Sequence, residues 1–598
     1  MLFRTSLPER VALDSFKRIL RLIKPYRGKF IFALSLTLVF VATFIAGPYV
    51  SKFLVDEVIK GGHTEYLIGV LGLLVGLSLS RALGAFVRGV TFERISQNII
   101  FDFRQSLYDH LHDLPYRFYD NHRIGEIMSR MTGDMDAVRM LLAGGLPIIA
   151  EHGIFLVGSL IAMYTLDWRL ALVVTAVMPV TAFLAWKFDR TARPQQREIR
   201  EQNAVLNTRA QENISGVRVV KAYAREDYEV DAFNEQNRKH LDIGIRITRT
   251  NANFNSALDF IGTLPSVLVL IMAGYLAEQG IVTPGMLIAA IGYIWMIMMP
   301  LRNLANTVNM VTQAISSGDR LFYYLDFGSE IREPEDARAP ETFTGLVEFR
   351  DVTFRYEDEP VLRHINFKVK PGQTLAIMGA TGSGKTTIVN LLGRFYDCGE
   401  GAVLVDGIDV KQYKLKELRR RIGYVMQETF LFSETLENNI AFGNPDATPE
   451  ELDAACEAAC ASEYIAKLDD GYNTIVGERG MGLSGGQKQR AAIARALCYN
   501  PSILVFDDAT SAVDMETEYA IQQALAKRAA QRTTLLISHR ISAVKDADEI
   551  LVLENGAIAE RGTHSDLLKK RGLYWGIYMD QYRDFEEALG ERGMALDA

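Results

Sequence analysis

The sequence predicts an all-α membrane-spanning half joined to an α/β half. Three observations predict it: six apolar runs before residue 302, a polar stretch at 326–344, and short strands alternating with amphipathic helices from Gly345 onward. A chain of 598 residues exceeds one ordinary core, and its near-neutral mean hydropathy hides a membrane-like first part and a soluble second.

Residues 1–30 are basic and amphipathic, with no compact apolar core running into a small-residue cleavage site. They read as a surface helix that hands the chain to the membrane, not as a cleaved signal. The apolar runs lie near 29–51, 67–90, 139–163, 168–188, 257–277 and 285–301, each close to the roughly 20 residues a bilayer crossing needs. An even number of spans places both termini on one side. The connections "KGGHTEY", "YTLDW" and "EQGIVTP" are short and nearly free of Lys and Arg, whereas 91–138 and 189–250 are long and rich in them. The long connections, both termini and the soluble half are therefore expected on the cytosolic side of the cell (inner) membrane.

About 30 residues of helix reach roughly 45 Å, so spans two to five are expected to project well below the bilayer. Each long connection is interrupted, at 112–130 and 213–233, by aromatics among charges. A solvated turn has no use for Phe118, Tyr119, Tyr223 and Phe233, so each tip is expected to carry a short helix that docks on the soluble half.

The net charge of −8 excludes the strongly basic balance of a nucleic-acid binder. Cys398, Cys456, Cys460 and Cys498 all fall in the soluble half without metal-like clustering with His, and read as reduced cytosolic thiols.

In the α/β half, "GATGSGKT" (379–386) follows the apolar strand "TLAIM" and precedes the helix-forming "TTIVNLLGRF". Gly379, Ala380, Thr381, Gly382, Ser383 and Gly384 supply a loop whose glycines let backbone N–H groups face phosphate. Lys385 offers a point charge to the outer phosphates, and Thr386, followed by Thr387, offers a hydroxyl to Mg²⁺. About a hundred residues on, "LSGGQKQR" opens a second helix at Leu483, Ser484, Gly485, Gly486 and Gln487; alone it would be an ordinary Ser cap. The strand "SILVFDD" follows, ending in Asp507 and Asp508.

In this order the parts resemble the ATP-binding cassette (ABC) family. Six spans before one fused cassette resemble an exporter-type (type IV) half-transporter: an all-α six-helix transmembrane domain at 1–325, a linker at 326–344, an α/β P-loop ABC nucleotide-binding domain at 345–575, and an acidic tail at 576–598 outside the resemblance. The resemblance implies ATP and Mg²⁺ as ligands. It implies that Tyr356 stacks on adenine, that Gln427 meets Mg²⁺ and the attacking water, and that the apolar residues after Gln427 form a groove for a membrane-loop helix. "GERG" (477–480) resembles the exporter-specific contact with those loops. Asp507 would orient Mg²⁺, Asp514 would face an opposing subunit, and His539 would contact the γ-phosphate. Leu483–Gln487 would close on ATP held by another cassette, so a dimer is implied.

Position 508 is where hydrolysis-competent sites of the family carry Glu. Asp withdraws the carboxylate by about 1.5 Å, which favours holding ATP over hydrolysing it. With the intact "LSGGQ", this resembles the degenerate-site subunit of bacterial heterodimeric multidrug exporters. A homodimeric exporter with a working Asp508, and an ATP-sensing subunit that gates a channel or regulates a neighbour, remain alternatives. In the spans, Glu151 reads equally as a cavity residue favouring cationic amphiphiles or as a bundle-internal partner, and Arg81, nearer the cytosolic leaflet, reads as a structural partner or a snorkelling residue. Trp295, Met299 and Asn303 of the sixth run are candidates to line a cavity for a small amphiphilic substrate such as a drug or a lipid.

Overall fold

A chain that crosses a bilayer must satisfy its backbone polar groups internally. The computed structural model describes residues 9–529 and 532–590, and six helices among these are long and apolar enough to cross. The chain divides into two units: the first holds the residues up to Asp113 and His122–Gly328, the second Leu114–Asn121 and the chain from Ser329 on.

In chain order the helices up to Asp326 are α1 (Glu9–Arg21), α2 (Arg27–Phe53), α3 (Leu67–Asp113), α4 (Tyr116–Asn121), α5 (Ile124–Leu166), α6 (Trp168–Ser215), α7 (Val217–Ala222), α8 (Glu226–Glu278) and α9 (Pro284–Asp326). α1 is the expected surface helix: Ser15 donates to Asp319 (3.0 Å) and Arg18 pairs with Asp326 (2.5 Å), tying it to the end of α9. α3, α6 and α8 run 47, 48 and 53 residues. At 1.5 Å per residue each spans about 70–80 Å, far more than the roughly 30 Å hydrocarbon core, so the long cytosolic-type connections are continuations of the spans.

Starts are marked by caps where the chain turns sharply. The Asp167 carboxylate accepts from the N–H groups of Arg169 and Leu170 at the head of α6. Thr283 accepts from Met286 N–H at the head of α9, where Pro284 occupies a position that needs no N–H. Asp56, in the π-helical turn Leu54–Lys60 after α2, accepts from Gly285 N–H (2.9 Å) and pins the same helix start.

The two loop tips differ. α4 belongs to the second unit, where Phe118 is fully buried, Tyr116 stacks on Phe395 at 4.4 Å and the Tyr396 hydroxyl donates to Asp120. α7 has no buried residue, and Val219 and Tyr223 are 60% and 77% exposed. Docking is therefore seen at the first tip, while within this chain the second presents its apolar side chains to solvent.

The second unit is built on two sheets. β1 (Val347–Arg355), β2 (Pro360–Val369), β4 (Glu400–Val405) and β5 (Ile408–Asp409) form an antiparallel sheet in the order β2-β1-β4-β5. β3 (Thr374–Gly379), β6 (Ile422–Val425), β7 (Ile503–Asp507), β8 (Thr533–Ile537), β9 (Glu549–Glu554) and β10 (Ala557–Gly562) form the order β10-β9-β3-β8-β7-β6, parallel except for β10. β7 is buried at every residue, as expected of a parallel strand covered on both faces. Helices α10 (Lys385–Leu392), α11 (Gly485–Cys498), α12 (Met515–Ala529) and α13 (Ile541–Val544) follow the motif-bearing loops, and α14 (Leu573–Gly590) is the last helix among the described residues. The boundary expected at 575 falls inside α14, whose Tyr574 is fully buried. Of the acidic tail, residues 576–590 continue this helix, and 591–598 lie outside the described residues.

Candidate functional site

β3 ends at Gly379 and α10 begins at Lys385, and the loop between them bends where only glycine fits. A Cβ on Gly379 would lie 2.4 Å from the Leu553 carbonyl oxygen, and one on Gly384, at φ +98°, would lie 2.5 Å from Leu362 Cδ2. The bend aims the first N–H groups of α10 at the loop's concave side, an anion-binding arrangement. Ser383 Oγ is buried there without a hydrogen-bond partner among the described residues. Lys385 Nζ donates to the carbonyls of Gly379 (3.0 Å) and Ala380 (2.8 Å). Burial lowers its pKa below the ordinary lysine value, against the opposing charges of Asp507 and Asp508.

Asp507 closes β7, buried, and accepts a hydrogen bond from Thr386 Oγ1 at 2.8 Å. Burial raises its pKa above the usual carboxylate range; the Thr386 hydrogen bond opposes this and the neighbouring charge of Asp508 adds to it. Asp508 donates its N–H to the Ile537 carbonyl (2.9 Å) and sits at φ +49°, a left-handed conformation that Asp adopts more readily than longer side chains.

These groups converge. Tyr356, Thr381, Gly382, Gly384, Lys385, Thr386, Thr387, Gln427, Asp507, Asp508 and His539 line one cavity of about 300 Å³. Tyr356 OH lies 3.3 Å from Thr387 Oγ1. Val361 and Ile537 complete the lining and were missed from sequence, since an apolar residue at a strand end carries no chemical signature. Gly379, Ala380 and Ser383 shape the loop behind the cavity rather than its wall.

Leu483–Gln487 and Asp514 do not line it. Ser484 and Gln487 form a capping box on α11, with Gln487 N–H donating to Ser484 Oγ (3.3 Å) and Ser484 N–H to the Gln487 side-chain oxygen (2.8 Å). Gln489 then joins this helix to the loop after β7: its amide donates to Ser511 Oγ (3.0 Å) and accepts from Ala512 N–H (2.9 Å). Asp514 accepts from Thr517 N–H and Oγ1 (both 2.9 Å) at the head of α12, and those bonds hold its carboxyl below the usual range. A phosphate loop, a strand-end carboxylate, a glutamine and a histidine share one cavity, and a Ser-Gly-Gly helix start stands outside it.

Residues 30–301 match the family model of the ABC transporter transmembrane region, and residues 362–511 match that of the ABC transporter cassette. The ABC transporter ATP-binding protein YknU of Bacillus subtilis (strain 168) is 39% identical over 574 residues, 96% of this chain and 98% of that protein. The chain belongs to the ABC transporter family. The ATP-dependent lipid A-core flippase of Syntrophus aciditrophicus (strain SB) is 33% identical over 97% of this chain and 96% of its own length. The solved structure of a bacterial Atm1-family ABC exporter with ATP bound superposes with a TM-score of 0.78 at 31% identity, covering 93% of this chain and 98% of that one. The protein is thus an ABC exporter with fused transmembrane and ATPase domains, a multi-pass membrane protein whose cassette binds ATP, and a half-transporter, which implies dimerisation.

In the exporter's spans, Glu151 pairs with Arg88 (2.6 Å), both side chains less than a fifth exposed. Arg81, read from sequence as a structural partner or a snorkelling residue, donates to the Thr43 carbonyl (3.0 Å) and lies over the Phe44 ring (4.5 Å). Arg88 is one heptad beyond Arg81 on α3, and only the tertiary fold shows which of the two reaches Glu151. Trp295 is exposed, Met299 and Asn303 are half-buried, and Tyr293, Met296 and Met298 are buried in the bundle.

Proposed function

We propose that this chain is one subunit of a heterodimeric exporter of small amphiphiles, and that its own cassette holds ATP firmly and hydrolyses it slowly. Asp508 carries this conclusion. It stands in the cavity beside Gln427 and His539, where a water-activating carboxylate belongs, but on a side chain one methylene shorter than Glu. The signature helix start is intact and lies outside the chain's own cavity, which suits completion of a partner's site.

Dimerisation has a second support in the exposed tip α7. Its Val219 and Tyr223 match in character the exposed Phe430, Phe432 and Phe442, which cluster in the segment after Gln427. A tip of one subunit seated on that aromatic patch of the other would cover both.

Within the cavity Tyr356 stacks on the base, the loop N–H groups and Lys385 hold the phosphates, and His539 donates to the γ-phosphate. Asp508 orients the attacking water and accepts its proton. The Thr386 hydroxyl, the Asp507 carboxylate and the Gln427 side-chain oxygen form the hard-oxygen donor set that Mg²⁺ takes, and Thr386 and Asp507 already meet at 2.8 Å. Mg²⁺ held there would neutralise charge on the bound phosphates.

Cassette closure is transmitted by α4 and α7 to the spans, which alternate access with both termini cytosolic. Relatives named for lipid A-core flipping and, as a candidate, for multidrug export both point to amphiphilic cargo. Retention of Gln427, Asp514 and His539 favours a homodimer as the second reading. Uptake of a fluorescent amphiphile into inverted vesicles tests the function: ATP-dependent, vanadate-blocked accumulation is expected. Accumulation that persists when hydrolysis is blocked would make the chain a nucleotide-gated or sensing subunit instead.

A further inference from the structure

The face that α14 turns inward is apolar except at its end. Tyr574 is fully buried, and Ile577 and Tyr578 pack on the same cluster, which also contains Ile541 and Val544 of α13. These positions step by three and four, so the next residue on that stripe is Gln581. The helix start is fixed firmly: Glu560 accepts from the N–H groups of Leu573 (2.6 Å) and Tyr574 (3.0 Å), and His564 Nδ1 meets the Tyr574 hydroxyl at 2.6 Å. Two turns on, the Gln581 amide arrives at the loop after β8. Its nitrogen donates to the His539 carbonyl (2.6 Å), and its oxygen accepts from Ile541 N–H (2.9 Å).

That N–H is one α13 cannot satisfy itself, because Arg540 at its N-cap makes no side-chain cap. The same loop is gripped from its other side. Arg540 donates to the carbonyls of Ser511 (2.8 Å) and Val513 (3.2 Å) and pairs with Glu518 (3.1 Å), which is buried and also accepts from Thr510 Oγ1 (2.5 Å). Residues 539–541 are therefore a junction between the catalytic pocket, the loop carrying Asp514 and a C-terminal helix lying wholly beyond the matched cassette segment, 362–511.

We propose that Gln581 is a positioning residue for His539: an amide clip from the C-terminal helix sets the backbone on both sides of Arg540 and so aims the imidazole into the pocket. Through it, anything that displaces α14 loosens the grip on the γ-phosphate without touching the nucleotide. The proposal rests on the reading that His539 contacts that phosphate.

The test uses the full-length chain in nanodiscs, with affinities for ADP and for a non-hydrolysable ATP analogue measured by displacement of a fluorescent nucleotide. Gln581→Met keeps the length and loses both hydrogen bonds. It is expected to reduce the preference for the triphosphate by about tenfold, the worth of one well-aimed hydrogen bond to a charged group, with ADP affinity and melting temperature unchanged. His539→Ala is expected to reduce the preference at least as far. The double variant is expected to fall no further than His539→Ala alone, because residues acting as a unit do not add. An unchanged preference in Gln581→Met, beside a reduced one in His539→Ala, overturns the clip alone. Additive losses in the double variant overturn it as well. A preference untouched by His539→Ala removes the reading beneath it, and the proposal falls with that reading.

Discussion

Asp508→Glu restores the missing methylene and should raise ATP turnover. The substitution advances the carboxylate by about 1.5 Å from a backbone held in place by the Asp508 N–H bond to the Ile537 carbonyl. A misplacement near 1 Å costs about a hundredfold in rate, equivalent to about 2.7 kcal/mol of barrier, so a gain of about 10- to 100-fold in kcat is expected. An opposing effect is visible in the structure: φ at this position is +49°, where Glu is less at ease than Asp, at a cost of about 1 kcal/mol in stability. That cost falls on the fold and is smaller than the barrier gain, so turnover should rise while the melting temperature drops slightly. Phosphate release by the purified chain at saturating ATP, with Asp508→Asn as the floor, should rank Glu above Asp above Asn. A wild-type chain as fast as the Glu variant, or an Asn variant as fast as either, would refute the reasoning.

Three further outcomes follow from particular contacts. Asp507 has a folded-state pKa raised chiefly by burial, so its proton is held more tightly folded than unfolded, and stability rises as pH falls through that raised value. Accordingly Asp507→Asn should raise the melting temperature of the nucleotide-free chain and abolish the Mg²⁺-dependent tightening of ATP binding seen by titration. Phe118→Ala empties a fully buried site on α4 at a local cost of about 3–5 kcal/mol, and should abolish vesicle transport while leaving nucleotide affinity intact. Glu151→Gln leaves Arg88 without its partner and should lower thermal stability and transport of cationic and neutral compounds alike, with Arg88→Gln added restoring stability; a loss confined to cationic compounds would mean that Glu151 faces cargo.

What was legible in the sequence was whatever has a local cause. Six apolar runs became six helices because backbone satisfaction in lipid leaves no alternative. Residues 379–386 folded as a phosphate loop because its glycines occupy positions a side chain would block. Phe118 revealed its docking because a buried aromatic at a loop tip has few other uses. Pairings between distant residues left no local mark. Arg81 and Arg88 share a face of α3 by spacing, and only the depth and rotation of α5 select Arg88 for Glu151. The segment after 575 reads as an acidic tail because the anchors of the helix that carries it, Glu560 at its start and the loop at His539 further on, lie elsewhere in the chain. Tips α4 and α7 looked alike as sequences, and their different burial reflects which surfaces one chain contains.

Native mass spectrometry of the exporter extracted under mild conditions from the membrane that naturally produces it tests the central claim most directly. A complex of this chain with one copy of a different half-transporter, whose own signature loop is altered and whose position matching Asp508 carries Glu, is the predicted result. A complex of two copies of this chain that hydrolyses ATP rapidly would contradict it.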